Sequence, residues 1–138
     1  MSAGRLPSVE TQTVAFVEAA RAARRRSASW LKFRGFRVYL RYEQAYESGD
    51  MALGETLVIA NVHSPEGFRD RGWFLHYCEL CAALVDGAVV IECVYNPRLY
   101  ASLSRREAFR ETRFREFVLL KRRPGEGSRI VIGPVPER

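Results

Sequence analysis

Two short apolar segments, separated by a helical stretch, restrict the folds open to this chain more than any other feature. Residues Thr56–Val62 form a near-continuous apolar, largely β-branched run, and residues Ala88–Val94 form a second one. Runs of this length are typical of strands that are covered on both faces. Between them, apolar side chains recur every three or four residues from Gly72 to Val85, which predicts an amphipathic helix. This order predicts a right-handed unit whose two strands are adjacent and parallel.

The segments before this unit predict one helix and one strand. Ser8 is a candidate helix N-cap, and apolar residues follow it at helical spacing in a unit that reaches Trp30. After Gly35, Phe36–Tyr42 alternates apolar and polar side chains, as a half-buried strand does. Residues 47–54 are polar and contain glycine, which predicts a loop.

The segments after the unit predict a further helix and two strands. Asn96-Pro97 favours a helix start, and apolar anchors continue as far as Ala108. Phe114–Lys121 is typical of a strand, and Arg129–Ile132 of a short final one. The predicted fold class is therefore α/β (α+β), with a mixed β-sheet and helices on both faces.

Length and composition predict a single folded domain. The chain has 138 residues and is 47% hydrophobic, which is too apolar for a disordered protein. Within the domain we expect an N-terminal helix in residues 1–30, a core in 36–121 and a tail in 124–138. No stretch approaches the roughly 20 apolar residues that span a bilayer, so we expect no membrane partner. The three cysteines and the absence of an apolar leader favour a reducing compartment, the cytoplasm.

The positive charge leaves a nucleic-acid partner open. The net charge is +6, and the basic residues are 20 Arg and 2 Lys. They cluster around residues 21–26 and 105–115, where they could hold a nucleic acid or a phosphorylated ligand. Solvated helix faces are the favoured interpretation of both clusters.

A Cys-x-x-Cys pair at Cys78 and Cys81 invites a metal or redox interpretation. It lies in the middle of the predicted helix rather than at its start, where a thiolate gains stabilisation. Zinc requires four ligands, and no second close pair accompanies His76. We therefore predict packed core cysteines and no metal site.

The segment with most chemical content lies between the first buried strand and the helix after it. It contains Arg69, Asp70 and Arg71, and Gly72, Trp73 and Phe74 follow at the helix start. A helix start offers free backbone N–H groups and a positive dipole end, and two guanidinium groups add charge. Gly72 has no Cβ to keep a ligand from the backbone. The segment therefore suits a pyrophosphate.

These residues resemble a motif of the GCN5-related N-acetyltransferase superfamily. Its pyrophosphate loop reads Gln/Arg-x-x-Gly-x-Gly/Ala after the fourth strand, and Arg69 and Gly72 stand in the first and fourth positions. Val89–Asn96 is similar to the family's fifth strand, which runs to an Asn. Phe74 stands where the family has Gly or Ala, and Ala108 stands where the family has Gly. The resemblance covers about residues 36–121.

The resemblance implies an acyl-CoA N-acyltransferase-like fold with a shortened N-terminal part and acetyl-CoA as cosubstrate. It implies that the loop and helix start bind the pyrophosphate, that a backbone N–H near Val62 or His63 polarises the thioester carbonyl, and that Asn96 lies at the cofactor. The acceptor would be an unidentified amine on a small molecule or a protein. Short proteins of this kind occur in bacteria and bacteriophages, so the expected location is a bacterial or host-cell cytoplasm.

The resemblance also suggests catalytic residues. His63 and Glu92 are candidates for the base, because both are expected near the cleft between the buried strands. In the family, a tyrosine often acts as the general acid. Its position falls on Ser104 in this chain, so Tyr100 or Tyr95 would have to replace it. A catalytically silent relative that binds a partner protein, such as a host protein, is the main alternative, and nucleic-acid binding is the third.

Overall fold

The computed structural model describes residues 8–48, 51–65, 72–119, 121–122 and 130–131. The order of elements is that of an α+β protein, with three helices and a mixed sheet. None of the helices within these ranges has the length and apolarity that crossing a membrane would require. The elements are α1 (Val9–Ala23), β1 (Ser27–Phe33), β2 (Phe36–Ser48), β3 (Met51–His63), α2 (Trp73–Leu84), β4 (Ala88–Ile91), α3 (Pro97–Ser104), β5 (Phe109–Arg113), β6 (Glu116–Leu119), β7 (Lys121–Arg122) and β8 (Ile130–Val131).

Six strands form the main sheet in the order β1-β2-β3-β4-β6-β5. Strands β3 and β4 are adjacent and parallel and are joined by α2, which confirms the predicted unit. The other pairs in this sheet are antiparallel. Strands β7 and β8 pair separately, so the short final strand predicted from the sequence is also present.

The predicted N-terminal helix is too long, because part of residues 1–30 is a strand. The helix begins after its predicted N-cap Ser8 and ends at Ala23. Arg24 then adopts a left-handed conformation with φ 57°, and its N–H donates to the carbonyl of Ala20. Strand β1 follows and turns into β2 through Arg34 and Gly35, both with positive φ, as a two-residue hairpin requires.

All three helices pack on one face of the sheet, which corrects the prediction of helices on both faces. Their buried side chains join one core with alternate residues of the strands. Those strand residues include Leu40, Ile59, Ile91 and Phe117. The helices therefore share a single layer against the sheet.

The second face of the sheet is partly covered by the far end of the β2–β3 hairpin, residues 43–48 and 51–54, which we call the hairpin arm. Its apolar residues Met51 and Leu53 pack against Val58, Val90 and other residues of this face. The loop predicted over residues 47–54 is therefore wrong where the structure describes it. Where β3 and β4 pair, Leu57–Ile59 and Val89–Ile91 are apolar on both faces, because the arm, rather than a helix, covers their second face.

The last residue of β2 reaches across the sheet to the β5–β6 pair. Ser48 donates a hydrogen bond to a carboxylate oxygen of Glu116 on β6 at 2.6 Å, and its hydroxyl lies 3.0 Å from that of Thr112 on β5. Irregular pairing between Glu43 and Tyr46 bends the hairpin on its way there. The arm therefore spans from β2 to the β5–β6 pair.

Three boundaries after α2 also differ from prediction. Strand β4 ends at Ile91 rather than Val94, and α3 ends at Ser104 rather than Ala108. The predicted strand over Phe114–Lys121 begins later, because Phe114 and Arg115 form a turn between β5 and β6. The short β5 lacks the alternating burial by which a strand is recognised in sequence.

The cysteines of the Cys-x-x-Cys pair are free and buried, as predicted for core packing. Burial raises the pKa of both thiols, that of Cys81 to about 12. At neutral pH both therefore remain protonated, and they contribute apolar packing between α2 and the sheet.

Glu55 joins four parts of the fold. Its carboxylate accepts two hydrogen bonds from Arg21 of α1, at 2.7 and 2.8 Å, and one each from the Tyr42 hydroxyl and the Asp86 N–H. The Arg21 guanidinium, followed by these hydrogen bonds, lowers the pKa of Glu55 to about 2. The charge on Glu55 therefore connects α1, β2, β3 and the α2–β4 connection.

Glu55→Gln keeps the shape of this side chain and removes its charge. We expect the variant to lower the free energy of unfolding at neutral pH by about 1–3 kcal/mol, because charge-assisted hydrogen bonds are lost. The folded-state pKa lies below the ordinary 4.5, so this contribution is present above pH 4.5 and is lost as the pH falls towards 2. Urea unfolding of both proteins between neutral pH and pH 2 measures the difference.

Glu18→Gln is the matched control, because Glu18 is exposed on α1 and has no ion pair among the described residues. It should change the free energy of unfolding by less than about 0.5 kcal/mol at any pH. A difference between wild type and Glu55→Gln that does not change with pH would contradict the role given to the Glu55 charge.

Candidate functional site

The candidate site begins where the two parallel strands part. Strands β3 and β4 pair as far as Ile59 and Ile91, and the Glu92 N–H donates one last bond to the Ile59 carbonyl at 3.0 Å. Cys93 then has a φ of 56°, and the Val94 N–H donates instead to the carbonyl of Arg115. The chain after β4 thus leaves β3 and joins the β5–β6 turn.

Strand β3 continues four residues further, and a bulge bends it. Tyr39 of β2 pairs with Asn61 and Leu40 pairs with Ile59, so Ala60 between them has no partner. A residue of this kind bends its strand and strengthens the local twist. The carboxyl ends of β3 and β4 therefore diverge, and ligands commonly bind at such a point of an open parallel sheet.

A cleft of about 860 Å³ lies at the end of β3, beyond its pairing with β4. Three elements line it: the end of β3, the start of α2 and one side of α3. Val62, His63 and Ser64 come from the first, and Gly72, Phe74 and Leu75 from the second. Pockets of this size are large enough for a cofactor.

Helix α3 and the two residues that follow it contribute most of the charge in the cleft. Arg98, Arg105 and Arg106 line it, and no carboxylate is among the lining residues that the structure describes. Arg98 and Arg105 are seven residues apart, which is two helical turns, so they share a side of the helix. The cleft is therefore positively charged and suits an anionic ligand.

Helices α2 and α3 both begin at the cleft, and their N-termini are capped differently. Asn96 caps α3, since its side-chain oxygen accepts from the N–H groups of Arg98 and Leu99 at 2.9 and 3.1 Å. Gly72 precedes α2 with a φ of 78° and provides no side-chain cap. The N–H groups in the first turn of α2 therefore lack a capping side chain at residue 72.

Five residues selected from the sequence are brought together at this cleft. They are Val62, His63, Gly72, Phe74 and Asn96. His63 is exposed at the end of β3. The predicted pyrophosphate residues Arg69, Asp70 and Arg71 lie outside the described residues, so their placement stays a prediction.

Trp73 does not line this cleft, although it was selected with its neighbours. Its indole N–H donates to a carboxylate oxygen of Glu10 on α1 at 2.8 Å. Its ring stacks on Tyr77 with centroids 5.1 Å apart and contacts Phe36 at 4.7 Å. Trp73 thus fixes the start of α2 against α1 and β2.

Glu92 follows the end of β4 rather than lying within it, and it is held in an ion pair away from the cleft lining. Its two carboxylate oxygens accept from the Arg41 guanidinium at 2.9 and 3.0 Å. Arg41 also contacts Glu43, which in turn pairs with Arg26. The carboxylate of Glu92 is therefore already neutralised by a neighbouring cation.

Tyr100 is likewise engaged outside the cleft lining. Its hydroxyl donates to Glu111 at 2.7 Å, and the Arg115 guanidinium lies 4.6 Å from its ring centroid. The hydrogen bond to Glu111 is the main reason that the pKa of Tyr100 is raised. A raised pKa makes the hydroxyl a weaker proton donor than an ordinary tyrosine. Tyr95, the alternative, is 65% exposed.

The sequence pattern does not single out the arginines of the cleft as a group. It favours a solvated face for Arg105 and Arg106, and nothing in it distinguishes Arg98. Their spacing on a helix that begins at Asn96-Pro97 was the available signal. The spacing alone does not show which side of α3 faces the end of β3.

Comparisons with protein-family models, curated proteins and solved structures find no match for this chain. The resemblance to the acetyltransferase superfamily therefore remains a prediction from its residues.

Gly72 should be required for its conformation rather than for its size. A Cβ at this position would meet no atom of the described residues within 4 Å, but the positive φ is unfavourable for other residues. We expect Gly72→Ala to lower the free energy of unfolding by about 1–2 kcal/mol. Gly72→Asn should lower it less, because Asn tolerates the left-handed region. Equal losses in thermal unfolding would contradict this explanation.

Proposed function

We propose that this protein is an acetyl-CoA-dependent N-acetyltransferase that moves an acetyl group to an amine of an unidentified acceptor. The observation that carries the proposal is the positively charged cleft at the point where the parallel strands β3 and β4 part. Acetyl-CoA combines a phosphorylated nucleotide with a long, narrow arm. The charged cleft would suit the phosphates, and the end of β3 beyond its pairing with β4 would suit the arm.

The residues present fit this cosubstrate in charge and in position. Arg98, Arg105 and Arg106 would bind phosphate groups, together with the backbone at Gly72. Arg69 and Arg71 are predicted from the sequence to add to this set. Residues Ala60–His63 extend beyond the pairing with β4 and would accompany the arm.

When bound, acetyl-CoA would supply an acyl thioester, and the chain would supply orientation and a base. His63 borders the cleft at the exposed end of β3 and is the residue to which we assign the base. It would accept the proton of the amine as the new C–N bond forms and the C–S bond breaks. A backbone N–H near Val62 would polarise the carbonyl.

One observation favours a second candidate function, a catalytically silent relative that binds a partner protein. Glu92 is paired with Arg41, and the Tyr100 hydroxyl is committed to Glu111. Two of the three candidate catalytic side chains are thus occupied within the fold. Catalysis by orientation and a single base would still account for activity, because orientation alone contributes several orders of magnitude.

The two arginines that follow α3 provide a direct test of cosubstrate binding. We expect Arg105→Gln combined with Arg106→Gln to weaken the binding of CoA by about tenfold or more, as measured by isothermal titration calorimetry. Arg110→Gln with Arg113→Gln is the matched control, because it removes two charges from exposed residues of β5. Arg69→Ala with Arg71→Ala tests the predicted loop separately.

Two outcomes would count against the cosubstrate. Wild-type protein that does not bind CoA would contradict the proposal and favour the partner-binding alternative. Equal weakening in the control pair would show that general charge, rather than the cleft, determines the affinity.

His63→Gln tests the assignment of the base. We expect turnover of acetyl-CoA with a reactive amine to fall by about 10²–10⁴-fold, since a general base contributes this much. The dissociation constant of CoA should change far less than turnover. Thioester cleavage across a panel of amines, peptides and proteins is the measurement. CoA binding without turnover in the wild type would favour the silent relative.

A further inference from the structure

The part of the second sheet face that the hairpin arm leaves open carries an ordered set of side chains. Cross-strand partners in an antiparallel pair lie on the same face. Lys32 of β1 pairs with Arg37 of β2, which pairs with His63 of β3. These three residues, which we call the basic row, therefore lie side by side across three strands. All three are exposed.

Lys32 and Arg37 of the basic row carry positive charges that no carboxylate of the described residues neutralises. Like charges directly opposite each other destabilise a sheet. Among the described residues, no carboxylate pairs with the side chains of the basic row. By contrast, Arg26 and Arg41 on neighbouring parts of the fold each have a glutamate partner. The basic row is thus arranged to attract an anion from outside the chain.

A second row lies two residues along the strands and has different chemistry. Trp30 pairs with Tyr39, which pairs with Asn61. We call these three residues the stacking row. Trp30 is 47% exposed, and its ring lies 5.2 Å from that of Tyr39 at an angle of 49°. An exposed indole supported by a second ring offers a surface for a planar group, and the Asn61 amide offers a donor and an acceptor beside it.

We propose that the basic row and the stacking row form a binding surface for single-stranded nucleic acid. Phosphates would bind to the basic row, and an unpaired base would stack on Trp30. Proteins that bind single strands combine cations along the backbone path with aromatic platforms for the bases. The net charge of +6 favours the same partner through long-range attraction.

The open character of the surface favours a strand over other ligands of similar chemistry. A free nucleotide is normally bound in a concave pocket, whereas these rows lie on an exposed sheet face. In a duplex, the faces of the bases are stacked against each other, so Trp30 would have no base to receive. An acidic peptide would satisfy the basic row but would leave the stacking row without a planar partner.

The test is fluorescence anisotropy with a labelled single-stranded thymidine oligonucleotide of about twelve nucleotides, over a range of salt concentrations. We expect Lys32→Gln with Arg37→Gln to weaken binding by about tenfold. The slope of log affinity against log salt should fall in magnitude by about 1.4, because each phosphate contact to a single strand contributes about 0.7. Arg110→Gln with Arg113→Gln, on the strand at the other edge of the sheet, is the matched control and should change affinity less than about twofold.

Trp30 separates stacking from charge. Trp30→Ala should weaken binding by about fivefold to 100-fold and leave the salt slope unchanged. Trp30→Phe keeps a ring and should retain most of the affinity, which distinguishes lost stacking from altered folding. Thermal unfolding of each variant accompanies the binding measurement.

Four results would overturn the proposal. They are no binding by the wild type at low salt, equal loss in the control pair, equal affinity for a duplex of the same length, and displacement of the oligonucleotide by polyglutamate as efficiently as by unlabelled strand. The last two would show that the surface collects anions without recognising bases. None of these results depends on whether the cleft binds acetyl-CoA.

Discussion

The short parallel pairing of β3 and β4 is the constraint on which the candidate site depends. Only four residue pairs join the strands before the chain after Ile91 turns towards β6. If β4 were longer, its backbone would occupy the space beside the end of β3. Because it is short, the first turns of α2 and α3 can face each other across a cleft. The bulge at Ala60 increases the separation by bending β3.

The two faces of the sheet are covered in different ways. The helices cover one face, and their buried side chains form the main core with the residues of that face. The hairpin arm covers part of the other face and is held by Ser48 at Glu116. The remaining part exposes the basic row and the stacking row beside the bulged strand. His63 belongs to this row and also lines the cleft, so the two candidate surfaces meet at one residue.

The acidic residues explain where the positive charge remains. Glu55, Glu43 and Glu92 each neutralise an arginine that contacts a strand or helix of the core. Such pairs stabilise the contacts between elements, since their geometry includes two-point hydrogen bonds. Among the residues that the structure describes, Arg105 and Arg106 at the cleft and Lys32 and Arg37 on the open sheet face have no ion pair. The fold therefore determines where positive charge remains, and the net charge of +6 is not spread evenly over the surface.

The sequence by itself determined the β3-α2-β4 unit, the N-caps Ser8 and Asn96, and the class of the fold. These follow from apolar periodicity and from capping side chains, which act over a few residues. It did not determine β1 or the hairpin arm, because a strand with mixed polarity is defined by the neighbour it pairs with. It also gave no indication of what covers the second face, since an apolar run is the same beneath a helix or a hairpin.

The residues of the candidate site can likewise be divided into those that the sequence indicates and those that depend on the tertiary structure. Val62, His63, Gly72, Phe74 and Asn96 were identifiable because parallel strands and the helices after them meet at one edge of the sheet. The roles of Trp73, Glu92 and Tyr100 were decided by the partners Glu10, Arg41 and Glu111, which are 63, 51 and 11 residues away. The cleft arginines of α3 and of the residues after it, and the rows on the open face, are candidate sites only because of the orientation of the helix and the register of β1–β3. Residue type is fixed locally, whereas a partner distant in sequence is chosen only when the chain folds.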